Sequence, residues 1–112
     1  MSEKTIDDAV NCLYTHGQRY AEAKAHRVYL EEYRKSLKSI IMKRAMHEGV
    51  KTVAAAEIEA YSDPEYVSLL AGLKEAVNQE EGLRWGLVSA QSRIDVWRST
   101  EASNRAVDKA TL

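Results

Sequence analysis

A metal site is the first chemistry that the sequence could carry, because Cys12 and His16 lie four residues apart. Residues at that spacing share one face of a helix, and two ligands on one face can begin a metal centre. Glu22 and His26 form a similar pair on a different face. Neither pair has an evident third ligand, and no Glu has a His three residues later, as di-iron bundles require. We therefore predict no metal and no cofactor, with Cys12 packed as a small apolar residue.

Hydrolytic chemistry would need a nucleophile, a histidine and an acid that orients the histidine. All three histidines fall in the first half of the chain, and there is neither a Gly-x-Ser-x-Gly elbow nor a glycine-rich phosphate loop. Neighbouring carboxylates, such as Glu31 and Glu32, diverge on a helix and cannot grip one substrate atom. We therefore predict that the protein is not an enzyme.

Two sets of basic residues could bind nucleic acid, because cations neutralise phosphates and aromatic rings stack on bases. The first set consists of Tyr29, Tyr33, Arg34, Lys35, Lys38, Lys43 and Arg44. The second is a stripe at multiples of seven residues, formed by Arg84, Arg98 and Arg105. Charged runs are also ordinary solvated faces, so the first set could instead pair with the glutamates of residues 57–75, and the second could flank a coiled coil.

Composition limits the class of protein. The chain has 112 residues, a formal net charge of -1 and one cysteine, which excludes an internal disulfide. The charge is unevenly distributed: residues 19–51 hold nine basic and four acidic side chains, whereas residues 57–81 hold seven acidic side chains and one lysine. The N-terminus does not resemble a signal peptide, and no apolar run is long enough to span a bilayer. We expect a cytoplasmic protein, with no membrane partner.

Helix signals dominate, and alternating β-branched strand patterns are absent. His47-Glu48-Gly49 is typical of a helix end, with Gly49 in a left-handed conformation. Asp63-Pro64-Glu65 is typical of a helix start, with Asp63 as the cap. We predict one helical domain over 1–112. It consists of a helix at about 4–48, a connector at about 49–63 that holds a short helix at 52–61, and a helix at about 64–108.

The last helix has the clearest pattern, because its candidate core residues follow one another in steps of three and four. They are Tyr66, Leu69, Leu73, Ala76, Glu80, Leu83, Leu87, Ala90, Ile94 and Trp97. This is a coiled-coil seam whose one polar member is Glu80. A helix of this extent is roughly 65 Å long, so we expect an elongated molecule.

The first helix is less regular. Ile6, Val10, Leu13, Gly17 and Tyr20 form one apolar stripe, and Leu30, Tyr33, Leu37 and Ile40 form another. The second stripe is out of phase with the first by roughly 100°. The pattern therefore predicts either a bend between residues 17 and 28 or two halves that face different partners.

The expected fold is all-α and elongated. The charges predict that its two long helices form an antiparallel hairpin, since this places the basic end of the first beside the acidic start of the second. The far end of the last helix is apolar on more than one face, which a single partner helix cannot cover. We therefore expect a homodimer that forms a larger coiled-coil-like bundle. The predicted oligomer interface is Leu83, Trp85, Leu87, Val88, Ile94, Val96 and Trp97.

Three stretches, at residues 20–38, 57–66 and 93–105, resemble small all-helical proteins that temperate bacteriophages encode near recombination and replication genes. The resemblance carries no catalytic motif. It implies a phage early gene, a bacterial cytoplasm, and DNA metabolism or host defence nearby. Our first functional hypothesis is a non-catalytic phage accessory protein in DNA recombination or replication. Such a protein would bind single- or double-stranded DNA or a phage recombinase. The alternative is a helical protein that inhibits a host nuclease or defence complex, with the acidic segment 57–81 mimicking nucleic-acid charge.

Overall fold

The structure, a computed structural model, describes residues 3–111, with side chains from residue 5 onward. These residues form three α-helices and no strand, which confirms the predicted all-α class. The helices are α1 (Glu3–His47), α2 (Val53–Ser62) and α3 (Pro64–Thr111).

The chain divides into two compact units. Unit 1 joins both ends of the chain, with α1 up to Ala21 and α3 from Glu81 onward. Unit 2 is continuous in sequence and comprises Glu22–Glu80, which includes all of α2.

The helix boundaries have local causes. Beyond α1, Gly49 has a φ of 114°, a conformation that L-residues with a side chain rarely adopt. Thr52 caps α2, because its hydroxyl accepts a hydrogen bond from the Ala55 amide at 3.1 Å. Asp63 separates α2 from α3, and its carboxylate accepts from the Glu65 amide at 2.8 Å. Pro64 follows at the first helical position, where its missing N–H costs no hydrogen bond.

The seam predicted on α3 is confirmed residue by residue. All ten members, from Tyr66 to Trp97, are buried or half-buried, and Glu80 is among the most buried of them. The sequence predicted the seam correctly because most seam positions carry large apolar side chains. Their period of 3.5 residues can be read from the sequence alone.

The prediction of two stripes on α1 is confirmed only in part. The stripe members that are buried or half-buried are Ile6, Leu13, Gly17, Tyr20, Leu30 and Leu37. Among the buried and half-buried positions of α1, one continuous row advances in steps of three and four: Ala9, Leu13, His16, Tyr20, Ala23, Arg27, Leu30, Arg34, Leu37, Ile41 and Ala45. Val10, Tyr33 and Ile40, which the sequence pattern placed on the stripes, are exposed. The pattern misled because several true members are alanine, histidine or arginine, which do not register as core residues.

An ion pair joins the two long helices in unit 2. Arg27 donates to both carboxylate oxygens of Glu80, from Nε at 2.6 Å and from Nη2 at 3.0 Å. Its remaining Nη1 donates to Glu31, one turn further along α1, at 3.0 Å. The hydrogen bond to Glu80 outweighs the cost of partial burial and, with the two negative charges, raises the pKa of Arg27 above its usual range.

The pairs across unit 2 also fix the helix direction. Arg27 meets Glu80, whereas the later residue Arg44 lies 3.8 Å from the earlier residue Glu65. The α1 and α3 segments of this unit therefore run antiparallel. Their apolar core is centred on Leu37, Ile41, Ala60 and Tyr66, with Met42 and Leu69 packed against it.

Candidate functional site on the tyrosine face of α1

One exposed face of α1 combines aromatic, aliphatic and cationic side chains. We call it the tyrosine face and define it as Tyr29, Tyr33, Ile40, Lys43 and His47, all of which are exposed. Tyr33, Ile40 and His47 are spaced by seven residues, so they project in nearly the same direction from the helix. The sequence predicts Tyr29, Tyr33 and Lys43 as binding residues but not Ile40 and His47, although their seven-residue spacing from Tyr33 was available as a signal.

The two tyrosines form a parallel pair. Their ring centroids are 6.0 Å apart and the ring planes differ by 6°. Tyr29 is 63% exposed and Tyr33 is 39% exposed. The two ring planes share one orientation and remain open to solvent, so flat apolar groups such as nucleic-acid bases can stack there.

Two open depressions adjoin this face. The larger, about 580 Å³, is lined by Tyr33, Leu37, Pro64, Glu65, Ser68, Leu69 and Gly72. Its floor is apolar, and its α3 wall carries the small residues Ser68 and Gly72. The second depression, about 500 Å³, is lined by Ile40, Lys43, Arg44 and His47. The first depression thus suits an apolar group, and the second suits an anion beside an aliphatic floor.

Helix α2 does not cover the tyrosine face, because it packs on another side of α1. Lys38 of α1 donates to Glu57 of α2 at 2.7 Å, and its ammonium lies 4.6 Å from the centre of the Tyr61 ring. Lys38 is five residues from Tyr33, which corresponds to roughly 140° around a helix. The hydrogen bonds to Glu57 and Tyr61 raise the pKa of Lys38 above its ordinary value.

The residues of the first predicted basic set therefore lie in different environments. Lys38 is committed to α2, and Lys35 pairs with Glu32 on its own helix at 3.2 Å. Arg44 is exposed, and among residues 5–111 its side chain forms one ion pair, the 3.8 Å contact to Glu65. Lys43 is exposed and forms no ion pair with any residue from 5 to 111.

Arg34 lies elsewhere. It is half-buried on the row of α1 that includes Arg27, seven residues further along the chain. Lys43 and Arg44 thus remain the cations best placed to act with Tyr29 and Tyr33.

The second predicted set, in unit 1, divides as well. Arg84 donates to both carboxylate oxygens of Glu81, and its guanidinium lies 4.6 Å from the centre of the Trp85 ring. Arg98 and Arg105 are exposed on α3. The stripe is therefore a charged flank of α3, and its nucleic-acid role stays a prediction.

The predicted oligomer interface falls on two faces of α3. Leu83, Leu87, Ile94 and Trp97 are half-buried members of the seam. Trp85, Val88 and Val96 are exposed, with Trp85 58% and Val96 56% accessible to solvent. The two groups therefore cannot serve one surface.

Most carboxylates of the acidic segment 57–81 contact other groups within the chain. Glu57, Glu65 and Glu80 face cations of α1, and Glu81 faces Arg84. The Asp63 carboxylate caps α3. The dense negative surface expected of a nucleic-acid mimic is thus reduced by neighbouring positive charge.

The Cys12 and His16 side chains contact each other, but they supply only two possible metal ligands. The Cys12 sulfur lies 3.6 Å from Nδ1 of His16, and both residues are half-buried. Across the side chains that the structure describes, no three His, Cys, Asp or Glu residues group in a way that could hold a metal ion. In the same part of the chain, every helix is too short or too polar to cross a membrane.

Comparison with known protein families, characterised proteins and solved structures finds no match to this chain.

Proposed function

We propose that the protein is a non-catalytic accessory factor that binds single-stranded DNA along the tyrosine face of α1. The observation that carries the proposal is the exposed, parallel Tyr29–Tyr33 pair on the same helix face as Lys43. Stacked bases need unpaired nucleotides, and this favours a single strand over a duplex. The resemblance to phage proteins supports a role in recombination or replication, in a bacterial cytoplasm.

The spacing on α1 suits a short stretch of single strand. Tyr33 and Lys43 are ten residues apart, which is roughly 15 Å along a helix. One or two bases would stack on the tyrosines, and the following phosphates would lie near Lys43, Arg44 and His47.

The nuclease-inhibitor alternative receives less support. It requires segment 57–81 to present its negative charge outward, whereas most of those carboxylates face cations or cap a helix within the chain. DNA binding is therefore the function that the contacts favour.

The test is a titration of a labelled single strand and of a matched duplex, at low and moderate salt. Fluorescence anisotropy reports the binding. Tyr33→Leu keeps an apolar side chain but removes the ring, and we expect a loss of affinity of about tenfold, equivalent to roughly 1.4 kcal/mol. Tyr14→Leu is the matched control, because Tyr14 is also an exposed tyrosine of α1 but lies outside the tyrosine face. That variant should bind like the wild type.

A second pair of variants tests the phosphate contact. Lys43→Gln should reduce the slope of log affinity against log salt by about 0.7, the value for one phosphate of a single strand. Lys24→Gln is the control, since Lys24 is exposed on a different face of α1. Lys38 is unsuitable, because its replacement would break the contact with α2. The proposal fails if no strand binds at low salt, or if Tyr33→Leu and Lys43→Gln bind like their controls.

A further inference from the structure

The larger depression, of about 580 Å³, adjoins the tyrosine face and lies between α1 and α3 within unit 2. On the α1 side it is lined by Tyr33 and the buried Leu37, and on the α3 side by residues that include Glu65, Ser68 and Gly72. Its volume falls within the range of sites that bind small molecules. A single strand that stacks on Tyr33 therefore has beside it a depression that can admit one base.

The depression has the surfaces that the flat faces of a base need. Tyr33 supplies an aromatic ring, and Leu37 and Leu69 supply an apolar floor. The α3 wall carries Ser68 and Gly72, which are small and lie one helical turn apart. A methyl group at Gly72 would meet no atom within 4 Å, so the space in front of this wall is open to a planar group.

The polar group that can distinguish one base from another is the carboxylate of Glu65. An ionised carboxylate accepts hydrogen bonds with both oxygens and donates none. Arg44 lies 3.8 Å from one of these oxygens, which is longer than a hydrogen bond, so both oxygens can still accept. The positive charge of Arg44 also reduces the repulsion between Glu65 and the phosphates of a strand.

The edges of the four bases differ in how well they fit such an acceptor. Guanine carries two neighbouring donors on its Watson–Crick edge, N1–H and N2–H₂, which match the two oxygens of a carboxylate. Adenine and cytosine each place one amino group beside an acceptor nitrogen. Thymine has one donor between two carbonyl oxygens, which a carboxylate repels. Charge complementarity therefore favours guanine.

We propose that the larger depression binds one guanine of the single strand, with Tyr33 stacking on the base and Glu65 accepting hydrogen bonds from N1–H and N2–H₂. This inference rests on the proposed function, because it requires a strand on the tyrosine face. Stacking and phosphate contacts supply most of the affinity, and Glu65 determines the preference for one base.

The experiment titrates the full chain with labelled oligothymidine and with the same strand in which one thymine is replaced by another base. Guanine should raise the affinity about fivefold, the low end for a bidentate contact, because Glu65 is exposed. Adenine or cytosine should raise it by less than about twofold. Hypoxanthine lacks the N2 amino group and should lose most of the gain, whereas 7-deazaguanine keeps both donors and should retain it.

Protein variants test the two walls of the depression. Glu65→Gln keeps the size of the side chain but leaves one acceptor, and it should reduce the guanine preference to less than about twofold. Glu59→Gln is the control, because it removes the same charge from an exposed residue of α2 that does not line the depression. Gly72→Leu fills the depression from α3 and should also reduce the preference, whereas Gly82→Leu, at an exposed glycine elsewhere on α3, should not.

The outcomes separate this inference from the proposed function. Leucine is a better helix former than glycine, so both glycine variants should fold, and circular dichroism verifies this. If oligothymidine binds but guanine adds nothing, or if Glu65→Gln retains the guanine preference, the guanine site is overturned and the proposed function stands. If no strand binds at low salt, both are overturned.

Discussion

Replacing Glu80 by glutamine tests whether the Arg27–Glu80 pair contributes to stability within unit 2. The Glu80 side chain is 8% exposed and accepts two hydrogen bonds from Arg27, at 2.6 and 3.0 Å. Glutamine has nearly the same size but has no charge, and its NH₂ group cannot accept. One hydrogen bond therefore keeps the charge of its Arg27 donor but loses that of its acceptor, and the other hydrogen bond is lost.

The size of the effect follows from these contacts. A hydrogen bond to a charged group contributes about 1.5–3 kcal/mol, and removing one member of a buried pair costs still more when the other member has no alternative. Arg27 is 23% exposed and keeps its contact with Glu31 at 3.0 Å, which limits the loss. We expect Glu80→Gln to lower the free energy of unfolding by about 2 kcal/mol, and the thermal midpoint by roughly 8 °C.

The assay is urea unfolding followed by circular dichroism, with all proteins at one concentration. Glu81→Gln is the control, because it removes the same charge from the neighbouring residue, whose partner Arg84 lies on the same helix with both side chains more than 40% exposed. That variant should lose less than about 0.5 kcal/mol.

The double variant Arg27→Leu/Glu80→Leu should recover most of the stability, because it leaves no unpaired charge in the seam. A Glu80→Gln protein as stable as the wild type would refute the reasoning. So would a double variant that unfolds as easily as Glu80→Gln.

Three further predictions concern local features. Gly49→Ala should lower the free energy of unfolding by about 1 kcal/mol, because an alanine at a φ of 114° is strained. Gly17→Ala should raise it by about 0.5–1 kcal/mol, since Gly17 is inside α1 and a methyl group there meets no atom within 4 Å; thermal melts compare both. The hydrogen bond to Glu57 raises the pKa of Lys38, so this ion pair stabilises the fold fully below about pH 10.5, the ordinary lysine value. Its contribution to stability decreases progressively above that pH. The difference in melting temperature between wild type and Lys38→Gln should thus be constant near neutral pH and shrink above about pH 10.5, and a constant difference at high pH would contradict this.

Much of the fold could be predicted from the sequence. Every seam position of α3 could be predicted because most of the seam residues are large and apolar. Gly49 and the Asp63-Pro64 pair indicated two helix boundaries through ordinary capping chemistry. The polar position Glu80 was also found, since it falls in an otherwise apolar series.

The partner of Glu80 could not be found in this way. Arg27 is one of nine basic residues between positions 19 and 51, and nothing in its immediate neighbours distinguishes it from a solvated arginine. Its role depends on a residue more than fifty positions away and on the antiparallel register, which only the folded chain supplies. The same limit explains why the cations of the first basic set could not be divided in advance into those that face α2 and those that face solvent.

The division into a continuous unit and a unit made from both ends has a consequence for the order of folding. Unit 2 closes over short connections, so its contacts can form before synthesis of the chain is finished. Unit 1 needs α3 beyond Glu81, and its two segments are separated in sequence by residues 22–80, so joining them carries a larger loop-closure cost. We therefore expect the ends of the molecule to join last and open first. Amide protons in residues 5–21 and 90–111 should exchange with solvent through local opening. Those near Leu37 and Tyr66 should exchange only when the protein unfolds globally.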